Sequence, residues 1–104
     1  MGIGMQIVYL GFAGAAPLEA EAGAQLVRLA RFGDLIANCH LVIEALPPNR
    51  AGFLYDVRLD LITPTHDLKP IAHCAGTSAE AAIRGAFDLA EKELQIAAAN
   101  RHTR

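Results

Sequence analysis

The clearest hydrophobic pattern in the chain is in its last third, AGTSAEAAIRGAFDLAEKELQ over residues 75–95. There Ile83, Ala86, Phe87, Ala90, Leu94 and Ala97 recur at three- and four-residue intervals, which lines them along one face of a helix. Thr77 stands three residues before Glu80, the spacing of a capping box in which hydroxyl and carboxylate each satisfy a backbone donor. The helix is therefore predicted to begin near Ser78, and its apolar face must be buried on something.

Upstream the period changes. MQIVYLGF, from Met5 to Phe12, is β-branched and aromatic, is closed by Gly11 and Gly14, and reads as a first strand whose near-continuous apolarity predicts burial on both sides or at an end. Pro17 suits a first helical turn, and Glu19 and Glu21 suit the positive end of the dipole, so a helix is predicted from about Pro17 to Phe32. Its core stripe is Leu18, Ala22, Leu26, Leu29 and Phe32, with Gly33 and Asp34 as the stop. CHLVIEA, from Cys39 to Ala45, alternates as a half-buried strand does, and Tyr55 to Leu61 alternates more cleanly, with Asp56, Arg58 and Asp60 on the solvent side. Pro47, Pro48, Asn49 and Gly52 between them predict a hairpin. Thr63 to His66 leads to a fourth strand over Leu68 to Ala75, where Pro70 cannot donate a ladder hydrogen bond and so points to a sheet edge.

The order β-α-β-β-β-α predicts an α+β fold, a four-stranded mixed sheet with two helices packed on one face. The first two strands, joined through a helix, should be parallel and the others antiparallel. One domain over residues 5–98 accommodates these elements, with residues 1–4 and 99–104 expected to be flexible termini.

Composition adds a surface problem. Only 19 % of the residues are charged, against about 25 % in typical soluble domains, while 53 % are hydrophobic. The first helix carries Ala20, Gly23, Ala24, Val27 and Ala30 opposite its core stripe, and the second carries Ala82, Leu89 and Ile96 off its own. These residues predict self-association, with Ala20, Gly23, Ala24, Val27, Leu89 and Ile96 as the interface of a homodimer. A net charge of −2 gives no overall attraction to nucleic acid, so any such binding needs local clustering of cations. Cys39 and Cys74 are too few for a disulfide framework, and no stretch reads as a signal peptide or membrane span, so the expected location is cytoplasmic.

The pieces MQI, APLEAEAGAQLVRLARFGDLI, CHLVIEA, YDVRLDL and, above all, AAIRGAFDLAEKEL follow one another between Met5 and Gln95. In order and spacing they resemble the short ribosome hibernation promoting factors and the related ribosome-associated inhibitor proteins. That resemblance implies the β-α-β-β-β-α fold and a non-enzymatic, cofactor-free role in translation regulation under stress. It implies binding to the RNA of the small ribosomal subunit near the decoding region, where tRNA and mRNA are blocked. The family's binding surface is basic and comes largely from the two helices. Arg28 and Arg31 match positions commonly basic in the family and Lys92 a basic position of the closing helix; Arg58 and Arg84 join them as RNA-binding candidates on charge alone.

Glu19 and Gln25 stand where the family usually has basic residues, and Leu89 where it often has Lys. Phosphate neutralisation supplies most of the affinity for RNA. These substitutions should weaken RNA binding, and the low charge and apolar helix faces motivate the alternative: a diverged homo-oligomeric protein-interaction module that no longer binds RNA. Neither DNA nor a membrane is an expected partner.

Cys39-His40 and His73-Cys74 bring zinc-type ligands together in sequence. Neighbours in a strand point to opposite faces, and strands two and four lie roughly 9.6 Å apart with the third between them, so no metal site is expected. Gly11-Phe12-Ala13-Gly14 follows a strand but lacks the wider phosphate-loop pattern, and reads as a strand-to-helix turn. No nucleophile elbow or carboxylate pair with a base beside it is present, and only a pocket uniting Asp56, Asp60 and a histidine would argue for catalysis.

Overall fold

The computed structural model describes residues 3–50, 52, 54–65 and 68–102. Along it run β1 (Gly4–Leu10), α1 (Ala16–Leu29), a 3-10 turn (Ala30–Phe32), β2 (Asn38–Ala45), β3 (Tyr55–Ile62), β4 (Leu68–Gly76) and α2 (Ala79–His102). The four strands form one sheet in the order β1-β2-β3-β4. β1 runs parallel to β2, and β2-β3 and β3-β4 are antiparallel, which is the mixed α+β arrangement that the alternation predicts. β4 is an edge, as Pro70 requires, and it carries an irregularity opposite the Leu59/Asp60 step.

Both helices cover the same face. Cys39, Leu41 and Ile43 of β2 and Val57, Leu59 and Leu61 of β3 point up into a core with Leu18, Ala22 and Leu29 of α1 and Ile83, Ala86, Phe87, Ala90 and Leu94 of α2. α2 lies over β3 and β4, with α1 beside it. One close approach marks that packing: a Cβ built at Gly85 would stand 2.5 Å from Cys74 Sγ, so glycine there lets α2 settle on β4 with the Cys74 thiol in its present position. At the other end of the sheet Gly14 has a φ of +85°, and a Cβ there would meet the Tyr9 ring at 2.5 Å. The Gly11 to Gly14 stretch is thus a turn shaped by Tyr9.

Three local expectations change. Ser78, not Thr77, caps α2: its Oγ accepts the Ala81 N–H at 3.3 Å, and the helix starts one residue later than predicted. Ala82 belongs to the core, while Ala97, which the spacing puts on the core stripe, is exposed. β1 is not buried on both sides; it is the second sheet edge, and its residues alternate between half-buried and exposed. The helix also continues to His102, past residue 98. His66 and the ends 1–2 and 103–104 lie outside the described residues.

Candidate nucleic-acid interface

α1 and α2 run parallel, so their facing flanks meet in register. Glu21 of α1 meets Arg84 of α2 at 2.7 Å. Two turns further, Arg28 reaches Asp88 at 2.8 Å and Glu91 at 3.0 Å, and Arg31 reaches Glu91 at 3.3 Å while stacking over the Phe32 ring. The spacing explains the assembly: residues three or four apart share a helix flank, so Glu21, Gln25 and Arg28 line one side of the seam and Arg84, Asp88 and Glu91 the other. Gln25 completes it by donating from Nε2 to Glu21 at 2.9 Å and accepting from Arg28. Hydrogen bonds to Glu91 and Asp88, together with their charge, hold the Arg28 proton more tightly than in a free guanidinium.

This seam brings together three of the five predicted cations, Arg28, Arg31 and Arg84, and sets three carboxylates among them. Lys92 is exposed further along α2 and has no ion-pair partner among the described residues. Arg58 is elsewhere: it projects from β3 on the face of the sheet away from the helices, 3.5 Å from Asp60. The acids opposite the arginines were visible as residues, but pairing between α1 and α2 is not legible from either helix alone.

The predicted self-association residues also separate. Ala20, Gly23, Ala24 and Val27 are exposed on α1. Leu89 follows Gly85 by one turn and so lies on the flank of α2 toward β4, with Ile96 two turns beyond it on the same flank. The charged seam stands between these two apolar stripes, so they do not merge into one patch.

The open face of the sheet carries a cluster where the alternation of β3 predicts only solvent-side charges. Arg58 pairs across the strands with Val42 and His73, and Asp56 with Glu44. His73 Nε2 lies 2.9 Å from Asp56 Oδ2, and Asp60 is only 8 % exposed. Oδ1 of Asp56 and Oδ1 of Asp60 are buried without a hydrogen-bond partner among the described residues. A space of about 300 Å³ beside Ile36, Leu61 and Leu94 and one of about 400 Å³ beside Phe12, Pro17 and Tyr55 both lie away from these residues. Among the described residues no group of three or more His, Cys, Asp or Glu is placed to hold a metal ion. Cys39 and Cys74 lie on the helix side while His40 and His73 lie on the open side, and burial pushes the Cys39 thiol up to about 11. No described helix is long and apolar enough to cross a membrane.

No family model matches the chain, and no curated protein sequence matches it. Solved structures do. A ribosomal subunit interface protein from Coxiella burnetii superposes with a TM-score of 0.75 at 15 % identity, over 93 % of this chain and 99 % of that one. The N-terminal domain of Protein Y from Thermus thermophilus does so with a TM-score of 0.67 at 17 % identity, over 90 % and 96 % of the two chains. The chain therefore shares, over nearly its whole length, the fold of proteins that include one named for the interface between ribosomal subunits.

Proposed function

We propose that the chain is a non-enzymatic, cytoplasmic, ribosome-associated protein of the hibernation promoting type, binding the small subunit near the decoding region and holding ribosomes inactive. The observation that carries this reading is the fold match over 93 % of the chain to a ribosomal subunit interface protein, reached independently of the motif order that suggests the same family. In this reading the outer surface of the two helices lies on RNA. Lys92 contacts phosphate directly, while Arg28, Arg31 and Arg84 exchange carboxylate partners for phosphate oxygens, which guanidinium groups grip in the same two-pronged way. Arg58, on the far face, contributes nothing to that contact.

Each phosphate contact adds about 0.7 to 0.9 to the slope of log affinity against log salt. Four cations therefore give binding that is moderate at low salt and falls as salt rises. Sedimentation with purified small subunits at low and moderate salt tests it. Co-migration that weakens with salt is expected, with Lys92→Glu weakening it further; no co-migration at either salt rejects the reading.

The carboxylates set among the seam arginines favour a second reading, a diverged relative that has given up RNA and works as a homo-oligomeric interaction module. Light scattering decides its oligomeric part, since a clean monomer at high concentration contradicts it.

A further inference from the structure

The two edges of the sheet are built differently. β4 carries Lys69, Pro70 and an irregular register against β3, three of the devices by which proteins keep an edge strand from pairing with another chain. β1 has none of them. Its sequence, GMQIVYL, contains no charge and no proline, and it pairs with β2 residue for residue without a bulge. Its apolar side chains are also incompletely covered. Met5, Ile7 and Tyr9 pack on the core yet stay half-buried, and on the open face Val8 and Leu10 are 47 % and 45 % exposed.

We propose that β1 pairs antiparallel with β1 of a second copy of this chain about a two-fold axis at Ile7, joining two sheets into a continuous eight-stranded one. Backbone polarity selects that centre. The Gly4 N–H donates toward β2, to Ala37 O at 3.4 Å, and donors alternate along a parallel ladder. The N–H and C=O groups of Met5, Ile7 and Tyr9 therefore point outward. In an antiparallel pair, directly opposed residues either exchange both hydrogen bonds or exchange none. A two-fold at Ile7 sets Ile7 against Ile7 and Met5 against Tyr9, so all three outward-facing residues fall in bonded pairs and about six hydrogen bonds form.

The side chains agree with this register. On the helix side the apolar residues Met5, Ile7 and Tyr9 meet only each other. On the open side Gln6 stands opposite Val8, and Gly4 opposite Leu10, where the glycine leaves room for the leucine. Because the strand is uncharged, a second copy brings no like charges together. The interface thus lies on β1, away from the helix residues that composition singles out, and it leaves the outer helix surface free.

The test uses the full chain without RNA. Sedimentation equilibrium and light scattering are expected to give a dimer for the unaltered protein. Gln6→Lys with Val8→Lys puts like charges directly opposite at both symmetric sites and is expected to weaken the dimer by at least about tenfold. Gln6→Lys with Val8→Glu puts opposite charges there and is expected to retain it. All of these changes lie on exposed positions of the open face, and circular dichroism reports whether each monomer remains folded. The proposal is overturned by a monomeric wild type, by a Lys/Lys variant that dimerises as well as wild type, or by a Lys/Glu variant weakened as much as Lys/Lys. A dimer that survives Lys/Lys but dissociates on Val27→Lys places the interface on α1 and also overturns it.

Discussion

The same strands present two unlike faces. Under the helices, Cys39, Leu41, Ile43, Val57, Leu59 and Leu61 are almost wholly withdrawn from water. On the other side the neighbouring residues are Glu44, Asp56, Arg58, Asp60 and His73, mixed with the exposed apolar Val8 and Leu10. Both faces come from one period-two pattern, yet only one has a layer packed on it. Stability is concentrated where α1 and α2 exclude water, while the open face keeps polar groups whose partners are few and whose replacement is cheap. Moving one residue along a strand should therefore change the outcome of a mutation from severe to slight.

The sharpest break of that contrast is Leu59→Ala. Leu59 sits in the middle of β3 with no exposure, between Leu41 of β2 and Ala72 of β4 in the ladder. Truncating a leucine in such a core costs about 2 to 5 kcal/mol, from lost transfer energy and the cavity left behind. Urea unfolding of the purified chain measures it. A loss below about 1 kcal/mol would mean that the covered face is loosely packed and that the contrast between the faces is false.

Cys39 allows the same dry face to be probed with protons. Its thiol is pushed up from 9.0 to about 11 by burial. Above the ordinary thiol range the unfolded chain releases a proton that the folded chain still holds, so stability is intact below pH 9 and falls as pH rises to about 11. A two-unit shift corresponds to about 2 to 3 kcal/mol in total. Tyr9, whose hydroxyl is also raised by burial and by Glu19, adds to alkaline loss in the same direction. The thiol contribution is therefore the difference between wild type and Cys39→Ala in urea titrations from pH 7 to 11. Parallel curves for the two proteins would show that water reaches Cys39.

Which of these features a reader of the sequence finds depends on the range of the interaction. The strands, both helices, the mixed sheet and the buried face of α1 are written in local periodicity and in turn residues such as Gly14, Pro17 and Pro70, so they are legible. The cap at Ser78 was missed by one residue because Thr77 offers the same hydroxyl with a better-placed Glu80. β1 misled because an edge strand with apolar residues on both faces reads like a buried one, and only the strand order distinguishes them. The candidate interface was legible as residues and illegible as a surface. Arg28, Arg31 and Arg84 are visible cations, but whether Glu21, Asp88 and Glu91 neutralise them depends on two helices running parallel with matched flanks. Arg58 lies on the other side of the sheet because its strand alternates, a fact that charge counting does not use.

The smallest effects sharpen the comparison from the open side, where the expected signs oppose each other. Arg58 is well exposed and its Nε lies 3.5 Å from Asp60 Oδ2, a distance at which an ion pair contributes little. Arg58→Ala is expected to lower stability by less than about 1 kcal/mol. It lowers rather than raises it because Asp60 is left with its carboxylate buried and still less compensated. Asp60→Asn acts the other way. The aspartate is 8 % exposed and among the described residues its Oδ1 has no hydrogen-bond partner and its Oδ2 has the long contact to Arg58, so folding withdraws the carboxylate from water with little in return from them. A neutral amide of the same shape removes that desolvation penalty, and the exposed guanidinium returns to water at little cost. The variant is expected to be as stable as wild type or more stable by up to about 1 kcal/mol. Thermal unfolding of both single variants and the double variant at one pH separates these terms. A double variant that matches Asp60→Asn alone would leave desolvation of Asp60 as the governing quantity, because Arg58 then acts only through that carboxylate, whereas a loss of several kcal/mol from Asp60→Asn would make the open face a second structural core.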